Sequence, residues 1–177
     1  MLKKQAHRPA HLLLDNMPYF ITASTHKKHP LLNDEIKCQL LLLMQQEFQN
    51  FGWQFNHWVI LNNHYHIMVY SYKGEDLGKI IGRIHFKSGQ FIRKISPNYK
   101  HIWWNYWDYC PRNEKDYFIH LNYLFNNPIK HGYVQSLHNY SFSSFHHYFE
   151  KQGREALIKQ FKQHNSYKTL ILDEDEF

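Results

Sequence analysis

Two β-prone runs with almost nothing between them constrain this chain more than any other feature. Trp53 to Leu61 and His64 to Tyr72 are rich in aromatic and β-branched side chains, and only Asn62-Asn63 separates them. So short a connection predicts an antiparallel hairpin. Upstream, Met17 to Thr25 with its Tyr19-Phe20-Ile21-Thr22 stretch predicts a strand, closed by the polar His26 to Pro30 turn. Asn33 or Asp34 then caps a helix to about Asn50, with Ile36, Leu40, Leu43, Met44 and Phe48 on one stripe. Downstream, Leu77, Ile80, Ile81, Ile84, Phe91, Ile92 and Ile95 recur at helical spacing, and the aromatic run Ile102 to Tyr109 reads as a further strand. A third helix is expected from Glu114 to Asn127, ended by Pro128, and a fourth from Phe145 to His164. The order is βαββαβα, which predicts an α+β fold: an antiparallel sheet with helices packed on it, of ferredoxin-like or RRM-like type.

At 177 residues the chain suits one domain, and 43% hydrophobic content excludes a disordered polymer. Its +6 charge, against 15 histidines, suits either a polyanionic partner or a plain basic surface. Abundant Trp, Tyr and Phe beside basic residues tilt that choice toward unpaired nucleic acid, because aromatic rings stack on bases. Lys79, Arg83, Lys87, Arg93 and Lys94 lie largely off the apolar stripe of the second helix, as candidates for phosphate contact or as a solvated face. Cys38 and Cys110 are far apart and outside any CxxC, so neither a disulfide framework nor a thiolate zinc site is expected. The longest apolar run, Leu40 to Met44, is too short for a bilayer, and two unpaired cysteines suit a reducing compartment, so the expected setting is the cytoplasm. No Walker loop or dinucleotide fingerprint is present.

His64 and His66 fall on one face of a strand, as two metal ligands must. With 15 histidines in 177 residues, such a pair arises about once by chance, so two plain strand histidines are the readier reading of the spacing alone. Tyr123 and Asn127 are one helical turn apart, which would set a phenol beside an amide carbonyl or simply pack a tyrosine near a helix end.

Four stretches occur together and in order: Leu61-Asn62-Asn63-His64-Tyr65-His66-Ile67-Met68, Trp103-Trp104-Asn105-Tyr106-Trp107-Asp108, Tyr123-Leu124-Phe125-Asn126-Asn127-Pro128-Ile129-Lys130-His131-Gly132, and Tyr140-Ser141-Phe142-Ser143-Ser144. This set resembles the single-tyrosine HUH transposases of the IS200-like superfamily, and most closely their REP-associated tyrosine transposase branch. The likeness runs from about Met17 to Tyr148, with Asn62 where the family usually has proline and Phe142 where it has tryptophan. The resemblance implies a transposase domain at 17–148, and outside it the sequence leaves an N-terminal arm at 1–16 and a C-terminal helix with an acidic tail at 149–177.

By that resemblance His64, His66 and Asn127 would bind a divalent metal, Mg²⁺ or Mn²⁺, and Tyr123 would attack a DNA phosphate to give a 5′-phosphotyrosine. The partner would be single-stranded or hairpin DNA, and the protein a monomer or homodimer. Three alternatives stand beside this reading: a non-catalytic DNA-hairpin binding protein, a metal-dependent nuclease in which water attacks and Tyr123 is only structural, and a protein-interaction module with incidental histidines.

Overall fold

A computed structural model of the chain describes residues 13–172, so most of the expected arm and the acidic tail at 173–177 lie outside the described residues. Four strands, β1 (Pro18–Thr25), β2 (Gln54–Ile60), β3 (His64–Tyr70) and β4 (Trp103–Tyr109), form one antiparallel sheet in the order β2-β3-β1-β4. Five helices accompany it: α1 (Asp34–Asn50), α2 (Leu77–Ile95), α3 (Glu114–Lys130), α4 (Phe145–Gln152) and α5 (Arg154–Gln163). The expected α+β architecture is the one observed, the hairpin included.

The pleat of the two central strands sorts side chains into two cores. Tyr19, Ile21 and Ala23 of β1 with Tyr65, Ile67 and Val69 of β3 meet Ile36, Leu40, Met44 and Phe48 of α1 and Ile80, Ile81, Ile84 and Ile92 of α2. Their alternates, Phe20 and Met68, meet Leu121, Tyr123, Leu124 and Phe125 of α3, with Phe145 and Leu157 of α4 and α5 behind. The sheet is thus a middle layer. The only end of the arm that is described joins this body: Leu14 exchanges hydrogen bonds with the Tyr19 hydroxyl, and Asp15 accepts from the Gly74 amide at 2.7 Å. A Cβ on Gly74 would lie 2.5 Å from the Leu14 nitrogen, so only glycine permits that approach.

Two departures from the sequence reading have physical causes. α3 does not stop before Pro128 but runs to Lys130, although the ring removes a helical hydrogen bond at a typical cost of ~3 kcal/mol. Burial of Leu124, Phe125, Asn127 and Pro128 holds the extra turn in place. The single helix expected over Phe145 to His164 is broken at Gly153, whose φ of +81° favours glycine, and the break lets α5 fold back. The Tyr140 to Ser144 stretch is an edge cover: Ile60 N donates to the Phe142 carbonyl at 3.0 Å, Ser144 N to that of Trp58 at 2.9 Å, and the Tyr140 hydroxyl to that of Ile60 at 2.8 Å. It thereby shields the open edge of β2. No helix among the described residues is long and apolar enough to cross a membrane.

Candidate active site

The candidate residues converge where β3 begins and α3 ends. His64 and His66, two apart on β3, point toward α3 with ring centroids 5.1 Å apart and planes at 77°. Thr22, their neighbour on β1, sets its Oγ1 2.5 Å from Nδ1 of His66 and so fixes that ring, turning its Nε2 side to the helix. Burial, followed by the positive neighbours His64, His131 and Lys130, holds His66 well below the usual histidine range. A neutral imidazole is the form that ligates a metal.

Asn127 is fully buried, and its Oδ1 lies 2.9 Å from Nε2 of His64. Nδ1 of the same ring faces the Asn63 Oδ1 at 2.7 Å. A neutral imidazole between two amide oxygens can donate to only one of them, so the second contact suits a further proton, a cation, or an Asn127 amide turned to present its otherwise unpartnered nitrogen. The donor set of two imidazoles and one carbonyl oxygen therefore fits a divalent metal, with nitrogen favouring Mn²⁺ over Mg²⁺. Among the described residues no group of three or more His, Cys, Asp and Glu is arranged to hold a metal; the third donor beside His64 and His66 would be the amide of Asn127.

Tyr123 packs against His66 with centroids 5.4 Å apart and against Phe20 at 6.1 Å, and is 2% exposed. Its hydroxyl accepts a hydrogen bond from Lys130 Nζ at 2.9 Å, and that ammonium lies 4.6 Å from the centre of the ring. Lys130 stands seven residues on, two helical turns, so it reaches Tyr123 only because α3 continues past Pro128. His131 follows, 4.9 Å from His64. Sequence reasoning placed Tyr123, Asn127, His64 and His66 but gave no role to Thr22, Lys130 or His131. The signal for Lys130 was the helical offset from Tyr123, hidden by the assumption that proline ends the helix.

The basic residues of α2 are not brought to this site. They belong to the layer on the other face of the sheet, where Arg83 and Lys87 bind the fully buried Glu47 at 2.6 and 2.5 Å. Burial tends to raise the Glu47 carboxyl, but hydrogen bonds from Arg83 and Lys87 outweigh it and hold the group below the usual carboxylate range. Lys79 pairs with Asp76 at 2.9 Å, while Arg93 and Lys94 are exposed in the last turn of α2.

A family model described as Transposase IS200 like matches residues 14–119, a stretch that takes in His64 and His66 and ends before Tyr123. Over 94 residues the chain is 34% identical to a REP-associated tyrosine transposase of Escherichia coli K12, covering 52% of this chain and 54% of that protein. It is 31% identical over 100 residues to a putative REP-associated tyrosine transposase of Haemophilus influenzae Rd, covering 49% and 56%. The chain spans about half the length of these curated relatives. A solved structure of a REP-associated tyrosine transposase bound to a REP hairpin superposes with a TM-score of 0.67 at 25% identity, over 80% of this chain and 84% of that one.

Proposed function

Since the chain belongs to the IS200-like transposase family, we propose that it cuts and rejoins single-stranded DNA beside a hairpin, with Tyr123 as the nucleophile. The observation that carries this reading is the Tyr123 ring, packed on His66 with its hydroxyl bonded to Lys130, and Asn127 one helical turn away facing His64. Buried tyrosine hydroxyls commonly find a partner; what supports a role in chemistry is that this one meets a lysine ammonium on a ring packed against a candidate ligand.

In the proposed reaction the Tyr123 oxygen forms a bond to phosphorus, the bond from phosphorus to the 3′-oxygen breaks, and the phenol proton passes through water to the departing 3′-oxygen. The products are a 5′-phosphotyrosine and a free 3′-hydroxyl, and the phosphodiester energy is kept for rejoining. A phenol of pKa near 10 is a weak nucleophile at neutral pH, and the Lys130 ammonium at its oxygen stabilises the charge that develops during attack. The same contact favours departure of the phenolate when the reaction reverses. Lys130 is solvent-exposed, so its flexible chain can shift to admit a phosphate while its ammonium stays within reach of the Tyr123 oxygen. Thr22 orients His66, and the carbonyl of Asn127 is held in place by the packed end of α3. Mg²⁺ or Mn²⁺ held by His64, His66 and Asn127 would supply Lewis-acid stabilisation of the scissile phosphate.

Hairpin DNA as partner is supported by the solved relative, which is bound to a REP hairpin. Tyr123 lies beside the histidines of its own chain, which supports action in cis and a monomeric catalytic unit. We take residues 17–148 as that unit, with the segment from 149 buttressing α3, and the bacterial cytoplasm, where the DNA is, as its setting.

The test is incubation with hairpin DNA libraries bearing single-stranded flanks, in Mn²⁺ or Mg²⁺, followed by denaturing electrophoresis. A covalent adduct is expected with the wild type and none with Tyr123→Phe or with chelator. Metal-dependent cleavage that survives Tyr123→Phe would instead point to water as nucleophile.

A further inference from the structure

The end of the sheet that carries His64 also carries an aromatic cleft that the proposed chemistry leaves unused. Ser24 pairs with His64 across β1 and β3, and Thr25 pairs with Trp103 across β1 and β4. Two strand spacings therefore separate the start of β4 from His64, about 10 Å. There His26, His101, Trp103, Trp104 and Asn105 line a cleft of about 310 Å³. Trp104 is the exposed member of the five tryptophans, at 48%, and packs in neither core. The His26 ring stacks on it with centroids 5.3 Å apart and planes at 28°.

The turn beside this cleft is strained and cationic. Lys27 and Lys28 are exposed and sit at φ of 54° and 53°, a left-handed conformation that non-glycine residues seldom adopt. Side chains hold them there: Thr25 Oγ1 donates to the His29 carbonyl at 2.6 Å, and Asn63 Nδ2 donates to the Lys28 carbonyl at 3.2 Å. Asn63 is also the residue whose Oδ1 meets His64, so one amide fixes both the turn and the candidate metal ligand. A tryptophan on an edge strand, outside both cores and next to two lysines held in a strained turn, fits a ligand that offers a flat ring and a negative backbone.

Building on the DNA-cleaving role argued above, we propose that this cleft is a stacking subsite for one unpaired nucleobase of the single strand leading to the phosphate at Tyr123. Trp104 is the platform, and Lys27 and Lys28 hold the adjoining phosphates. Paired bases hide their faces, so the subsite selects the unpaired flank of the substrate and not its stem.

The test measures binding of the full chain, in chelator to prevent cleavage, to a fluorescent hairpin with thymidine extensions and to the same stem without them. The wild type should bind the extended hairpin roughly tenfold more tightly, and Trp104→Ala should lose that difference while binding the bare stem unchanged. Replacing the extension nucleotides one by one with abasic sites should find a position that weakens the wild type as much as Trp104→Ala does and does not weaken that variant further. Trp104→Phe should keep most of the gain, and an unchanged thermal midpoint in Trp104→Ala would confirm that the exposed ring is not needed for folding. Equal binding of the extension by wild type and Trp104→Ala, or additive losses in the abasic series, would overturn the subsite while leaving the catalytic reading intact. No binding of either hairpin by the wild type would overturn both.

Discussion

The two faces of the sheet carry similar helical cover and opposite uses of polar groups. On the α1 and α2 face the interior is aliphatic and aromatic, and its fully buried carboxylate, Glu47, is answered at once by Arg83 and Lys87. On the α3 face Asn122 is likewise answered, by Gln160, but Thr22, His66, Asn127 and Tyr123, all buried, interrupt the interior as well. The first arrangement closes its charges on each other and leaves them nothing to exchange. The second gathers candidate ligand atoms and a hydroxyl beside the exposed Lys130. A count of basic residues favours α2 as the DNA face, whereas the partners of those residues favour the opposite one.

The comparison can be sharpened first by changes that should hurt chemistry and spare the fold. Asn127→Ala is expected to lower the rate of covalent adduct formation about 100-fold, and Lys130→Gln about tenfold, with DNA affinity within about twofold of wild type. An unchanged adduct rate in Asn127→Ala would remove that amide from the site. On the other face, Glu47→Gln should cost about 1–3 kcal/mol of stability, limited because Arg83 and Lys87 are half exposed and can rehydrate, and should leave the adduct rate unaltered. The pH dependence follows in sign. The Glu47 carboxyl is lowered in the folded state, so its contribution is present above the ordinary value of 4.5 and lost as the pH falls through the lowered one. Urea titrations across that range should show a shallower acid limb in Glu47→Gln than in the wild type. The smallest effect is expected from Arg83→Ala and Lys87→Ala on DNA binding: less than about twofold in affinity, with an unchanged salt slope. A shallower slope, by roughly 0.7–0.9 per cation removed, would break the comparison by making α2 a phosphate-binding face after all.

Much of this was legible in the chain itself. The hairpin followed from two β-prone runs with two residues between them, and both helices that flank it followed from apolar spacing, because these are local properties of backbone and side-chain period. His64 and His66 had to share a face for the same reason, and Tyr123 had to stand one turn from Asn127. The break at Gly153 was visible as a residue, yet its consequence was not, since a glycine inside an apolar pattern becomes a corner only when packing rewards one. The contact between Lys130 and Tyr123 was hidden more deeply. It needs a helix that continues through Pro128, and local propensity argues against that by more than most single interactions can offset.

What the sequence determined by itself, then, is the set of elements, their order and the residues able to do chemistry, since each is fixed by neighbours a few positions away. Only the tertiary structure decided which side of the sheet each helix covers, that Glu47 ties up two of the cations of α2, and that Thr22 and Lys130 attend the ring and the hydroxyl of the candidate site. Those choices depend on burial shared among residues far apart in the chain, and no local period records it.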